Sequence, residues 1–156
     1  MLLKSTNLVG IETGVIDVKI STRGSYGLRA MVELAMHEGS GPMPLRVIAD
    51  RQDVSESYLE QLMAALRKAG LVNSVRGHMG GYELALPPEE IVVGDIIRIL
   101  EGPISPIDCI GDNAVACERE EQCVTKFLWQ KLKDSIEDVL DSTTLQDLCD
   151  KASHEG

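Results

Sequence analysis

Apolar positions along the chain recur at two different periods. From Ser21 or Thr22, either of which can cap a helix, the run RGSYGLRAMVELAMHE sets Leu28, Met31, Val32 and Ala35 at helical spacing, and Gly39 stops it. SGPMP reads as a loop, and LRVIADRQ as a short helix with Leu45, Ile48 and Ala49 inward. DVSESYLEQLMAALRKAG carries the clearest signal, with Leu59, Leu62, Met63 and Leu66 at i, i+3, i+4 and i+7. Ser57 and Glu60 form an S-x-x-E capping box there, with Ser55 as the alternative cap. Arg67 and Lys68 suit the negative end of the helix dipole, and Gly70 stands as a C′ stop. The period then shortens. LVNSVR and YELAL read as strands around GHMGG, whose three glycines in five residues predict a hairpin loop longer than two residues.

Pro87 and Pro88 close this stretch, and IVVGDIIRIL reads as another short helix ending at Gly102-Pro103. About twenty residues without periodicity follow, a length that in compact domains points to function or disorder. CVTKFLWQKLKDSIEDVL is helical again, with Leu128, Leu132, Ile136 and Val139/Leu140 on one face. The resulting division is an N-terminal extension over 1–17, expected to be disordered or an artefact of start-site choice, and a first module over 18–88. A linker helix over 89–103, a loop over 104–122, a long helix with its C-terminal segment over 123–148 and a tail over 149–156 complete it. The fold class is mainly α with a small β-hairpin: helix, short helix, tight turn, well-capped helix and hairpin make a winged helix-turn-helix.

Composition narrows the setting. At 156 residues and 44% apolar content the chain can bury a real core. No apolar run approaches the roughly 18–20 residues of a membrane span. The first seventeen residues lack the basic start and continuous apolar stretch of a secretory signal. The expected address is cytoplasmic, where thiols stay reduced. A net charge of −10 taken whole argues against a polyanion partner. Residues 18–86, however, carry eight Lys+Arg against seven Asp+Glu, while residues 87–156 carry six against sixteen. One half can approach nucleic acid while the other is repelled by it.

In a helix-turn-helix the second helix of the pair sets its N-terminal residues on base edges in the major groove. Here those are Ser55, Glu56, Ser57, Tyr58 and Gln61. Hydroxyls reach bases or phosphates, and a Gln amide bonds adenine bidentately. Glu60 either accepts from a cytosine amino group or serves the capping box alone. Arg76, where the first strand meets the glycine-rich tip, suits a minor groove or a phosphate. Gly77, Gly80 and Gly81 keep that tip slim, and His78 reads as a surface residue or phosphate contact.

Cys109, Cys117 and Cys123 stand as C-x7-C-x5-C inside the aperiodic stretch. Zinc ribbons want close C-x2–4-C pairs, and redox pairs want C-x-x-C. No His, Asn or Asp arrangement suggests an activated nucleophile, so the chain does not read as an enzyme. By spacing alone the three thiols stay compatible with several metals, zinc among them, or with thiol-only redox sensing, and Cys123 at a helix start has its pKa lowered by the dipole. Cys149, in TLQDLCDKA, reads as a helix-packing thiol.

The run YLEQLMAALRKAGLVNSVRGHMGGYELA closely resembles the winged-helix segment of the bacterial iron–sulfur cluster regulators of the IscR type and their wider repressor family. ISTRGSYGLRAMVELA and VVGDIIRILEG carry the resemblance outward, from about Val18 to Leu148. It implies a homodimeric repressor whose long C-terminal helices form the dimer and which reads a roughly palindromic DNA operator, with no membrane partner. It implies a 2Fe–2S cluster on Cys109, Cys117 and Cys123, controlling genes of iron–sulfur cluster assembly. In that family a His follows the last cysteine by three residues, whereas this chain has Lys126, and the first cysteine gap is seven residues rather than five. A protonated lysine cannot ligate iron, which leaves the fourth ligand open among Asp108, Asp112, Glu118, Cys149 and a group of the partner subunit. Relatives that sense nitric oxide draw a ligand from the N-terminal helix, where Ser25 and Arg29 stand here as poor ligands. Two other readings accompany this one: a nitric-oxide, redox or cysteine-metabolism repressor of the same family, and a cluster-carrying redox protein without DNA binding.

Overall fold

The computed structural model describes residues 20–106, 110 and 123–156. The extension over residues 1–17 lies outside them, as do Cys109 and Cys117. Helices α1 (Thr22–Met36), α2 (Leu45–Gln52) and α3 (Glu56–Lys68) precede strands β1 (Val72–Val75) and β2 (Gly81–Leu84). A 3-10 turn at Pro88–Glu90 leads to α4 (Val93–Glu101), α5 (Lys126–Ser142) and α6 (Leu145–His154). This is the mainly helical winged helix-turn-helix that the periodicity predicts.

α3 is the best specified element. Ser55 is its N-cap and accepts the Tyr58 backbone N–H on Oγ at 3.1 Å. Ser57 is thus the second helical residue, so the expected Ser57–Glu60 capping box does not form. At the other end Gly70 takes φ 83°. The Leu71 N–H then reaches Leu66 O and the Gly70 N–H reaches Arg67 O, each at 3.0 Å, in a Schellman closure. Leu59, Leu62, Met63 and Leu66 are fully buried, each worth roughly 1.5–3 kcal/mol in area terms.

α1 departs from its expected stripe. Gly24, Gly27, Ala30, Met31, Leu34 and Ala35 face inward, while Leu28 and Val32 are half-buried. The reason is α4, which crosses so closely that a Cβ on Gly27 would strike Leu100 Cδ1. Smallness, rather than hydrophobicity, defines that face.

β1 and β2 pair antiparallel from Val72↔Leu84 to Val75↔Gly81. The SGPMP segment, expected as a loop, adds a bridge: Met43 and Tyr82 exchange backbone hydrogen bonds of 2.8 Å. The C-terminal segment returns to the same body. Val92 bridges Thr144, the Val93 N–H bonds Thr143 O at 2.8 Å, and the Leu145 N–H bonds Ile91 O at 2.9 Å. Thr144 and Asp147 then form a capping box that starts α6, which buries Leu145 and Cys149 in the core. Cys149 is thus the packing thiol anticipated. α5 alone among the helices has no buried residue, and Phe127, Leu128 and Val139 are exposed on it.

Candidate nucleic-acid interface and cysteine loop

The turn between α2 and α3 is held by Asp53 in the left-handed region (φ 53°, ψ 48°), with the Val54 N–H on Ala49 O at 3.1 Å. α2 is fastened to α1 through Glu33, which accepts from Arg51 Nη1 at 2.8 Å and Gln52 Nε2 at 3.2 Å. On this brace α3 turns its buried stripe to the core and leaves Ser55, Ser57, Glu60 and Gln61 exposed. With the capping box gone, Glu60 keeps no structural duty at the helix start. Tyr58 is a correction. Its ring packs edge-on against Tyr26, with centroids 6.3 Å apart. Its hydroxyl is buried with no hydrogen-bond partner among the described residues, so it does not reach the surface its neighbours present.

The wing is tied back to α3 by Arg67 Nη1, which donates to Ser74 Oγ at 3.0 Å. Arg76 and Gly77 lie at its exposed tip, Gly77 at φ 108°, and the Gly80 N–H closes the loop on Gly77 O at 3.0 Å. A Cβ on Gly80 would strike Val75 O, which fixes glycine there. Two exposed cations were not weighed for DNA contact in the sequence: Arg46, in the first turn of α2 and weakly paired to Asp50 at 3.9 Å, and Arg29, over the Tyr26 ring at 5.6 Å. An arginine in a helix's first turn, against the dipole preference, was the signal available for Arg46.

α4 ends at Gly102 (φ 87°), and the cysteine loop begins there. Its near margin is anchored: Ser105 donates its hydroxyl to Ile110 O, and Ile110 is buried. At its far margin Cys123 precedes α5. The Cys123 thiol pKa is lowered first by the Thr125 hydroxyl, 3.2 Å from Sγ, and then by the Lys126 backbone N–H. That favours the thiolate, the form that binds metal. Cys149 goes the other way, its pKa raised by burial. It also sits in α6, past the opposite end of α5, and a 17-residue helix spans about 25 Å. One subunit therefore does not bring Cys149 to Cys123.

A braced helix pair, a slim basic-tipped wing and a thiol-bearing loop ahead of a long exposed helix define a winged-helix DNA-binding regulator. Residues 20–151 match Rrf2, described as an iron-dependent transcriptional regulator, and the chain belongs to that family. The transcriptional regulator CymR of Bacillus subtilis is 50% identical over 131 residues, covering 84% of this chain and 89% of CymR. The solved structure of T. potens IscR is 52% identical, covers 89% of this chain and 91% of that one, and superposes with a TM-score of 0.72. The structure of CymR, described as the global cysteine regulator of B. subtilis, is 49% identical, covers 86% and 98%, and gives 0.71. These relatives are transcriptional regulators rather than enzymes. Among the described residues, no helix is long and apolar enough to cross a membrane.

Proposed function

We propose that this protein is a dimeric repressor whose DNA binding answers to a 2Fe–2S cluster held by Cys109, Cys117 and Cys123. The observation that carries the reading is the position of the cysteine loop, between α4 of the DNA-binding body and α5, with Cys123 stabilised as a thiolate. The donor set fits: thiolates are soft ligands, and the lowered pKa of Cys123 favours that form. When bound, the cluster supplies a labile redox centre whose presence or absence is the signal. The chain's own residues do the rest. Ser55, Ser57, Glu60 and Gln61 read the major groove, Arg76 and Gly77 bring the wing to the minor groove or phosphates, and Arg46 meets the backbone. α5 joins two copies through Leu128, Leu132, Ile136 and Leu140, so the operator is roughly palindromic. With Lys126 at the position of the expected histidine and Cys149 buried elsewhere, the fourth ligand comes from the loop or from the partner subunit.

Anaerobic purification with visible absorption and iron and sulfide analysis tests the cluster. Two irons and two sulfides per subunit are expected, and a colourless chain after reconstitution overturns the reading. Likeness to CymR favours a second reading, control of cysteine metabolism. Genome-wide DNA occupancy separates the two, with peaks at iron–sulfur assembly promoters for the first and at cysteine synthesis or uptake promoters for the second.

A further inference from the structure

At its C-terminal end α5 is attached to the DNA-binding body by the backbone bonds of Thr143 and Leu145 to Val93 and Ile91 and, among the described side chains, by the fork of one arginine. Arg98, on α4, donates Nη1 to Asp141 Oδ1 at 2.7 Å and Nη2 to Asp141 Oδ2 at 2.8 Å. Glu137, 4.0 Å from Nη2, and Asp95, 3.7 Å from Nη1, complete its surroundings, and Glu137 is itself held by Lys133 at 2.9 Å. The fork is seated in a notch: a Cβ on Gly94 would strike Asp141 Oδ1 and come within 2.9 Å of Arg98 Nη1. A bidentate guanidinium–carboxylate pair fixes direction as well as distance.

The rest of α4 is bound to α1. Leu100 O accepts from Arg23 Nε at 3.2 Å, and Glu101 Oε1 accepts the Gly24 N–H at 3.2 Å. α4 therefore moves with the DNA-binding body. The cysteine loop leaves α4 at Gly102 and reaches α5 at Cys123, the end of α5 remote from Asp141. From Lys126 to Asp141 the helix rises about 22 Å. A change in the loop acts on one end of this lever, and the Arg98–Asp141 pair holds the other.

We propose that Arg98 is a positioning residue for transmission: its fork on Asp141 is the pivot that turns the state of the cysteine loop into a fixed angle between the dimer helix and the DNA-binding body. The loop-state half of this rests on the cluster reading above, whereas the fixed angle does not.

The test uses full-length protein and a duplex selected from a random pool by the wild-type chain. Insertion of one base pair between half-sites lowers the wild-type apo-protein's affinity at least tenfold. Arg98→Met and Asp141→Asn are each expected to tolerate it within threefold, while Arg98→Lys falls between. Sedimentation and circular dichroism confirm dimer and fold, readouts a merely structural role would disturb. In anaerobically loaded protein, the wild-type ratio of loaded to apo affinity is expected to fall to within twofold of one in Arg98→Met, at equal iron content. Both variants keeping the wild-type spacing penalty overturns the pivot, whatever the cluster does. A wild-type chain that takes up no iron overturns the cluster reading and the loop-state half, and leaves the spacing comparison to decide the angle.

Discussion

α3 and α5 both carry apolar stripes at helical spacing, yet every stripe residue of α3 is buried and none of α5 is. Leu128 remains 54% exposed, whereas Leu62 is 0%. A helical period says that a face will be covered without saying by what. For α3 the cover is α1, α2 and α4 of its own chain; α5 touches α4 but buries none of its residues, and the proposed dimer would supply the rest of its cover. On that proposal stability and assembly use the same code on two helices, and mutation can read them separately.

The largest separation comes from Leu62→Ala. Removing a fully buried leucine costs about 2–5 kcal/mol, read as a lowered midpoint in urea, with the loss present at any protein concentration. Ile136→Asp inverts the pattern. It is expected to weaken the dimer at least about 30-fold, or about 2 kcal/mol, in sedimentation equilibrium while the body keeps its helical circular dichroism. An unchanged dimer would mean that the α5 stripe is not an interface.

Cap and reader separate on a finer scale. Ser55→Ala removes the Tyr58 N–H acceptor and costs about 1 kcal/mol of stability. Ser57→Ala, two residues past the cap and exposed, is expected to leave stability within about 0.5 kcal/mol but to weaken operator binding several-fold. If both lose only stability, the α3 amino end is not a reading surface. The smallest effect is acid. Arg98 holds the Asp141 carboxyl below its ordinary pKa, so the pair's contribution is complete above that ordinary value and lost as pH falls through the lowered one. Both partners are partly exposed, which limits it to under about 1 kcal/mol; Asp141→Asn should flatten that part of an acid titration by lowering the neutral midpoint by no more than that amount while leaving the acid end unmoved.

What the sequence made legible followed locality. The α3 stripe, its Gly70 stop and the five-residue wing loop are short-range patterns, and all three stand as read. The inner face of α1 is a long-range matter: nothing in RGSYGLRAMVELA shows that Leu100 will press on Gly27, so Leu28 and Val32 drew attention that belonged to glycines. The packing of Tyr58 was hidden for a similar reason, because its partner Tyr26 lies 32 residues upstream. Ser57–Glu60 had the capping-box spacing, but Ser55–Tyr58 closed the helix two residues earlier, and spacing alone does not choose between overlapping caps. Of the three cysteines in the sequence pattern, Cys109 and Cys117 lie outside the described residues, so the structure speaks of the group at Cys123 alone. The Arg98–Asp141 fork was not legible, since it joins residues 43 apart that look like ordinary surface charges.

The clasp between Val92 and Thr144 has a consequence for how the chain folds. Because Leu145 and Cys149 complete the core that α1 and α3 begin, segments far apart in sequence must meet before that core is closed. Contacts of long sequence separation are the slow ones to form, since the entropy of closing the loop is spent before they reward it. The helix pair and the wing can take shape from local contacts, whereas the body as a whole waits for α6.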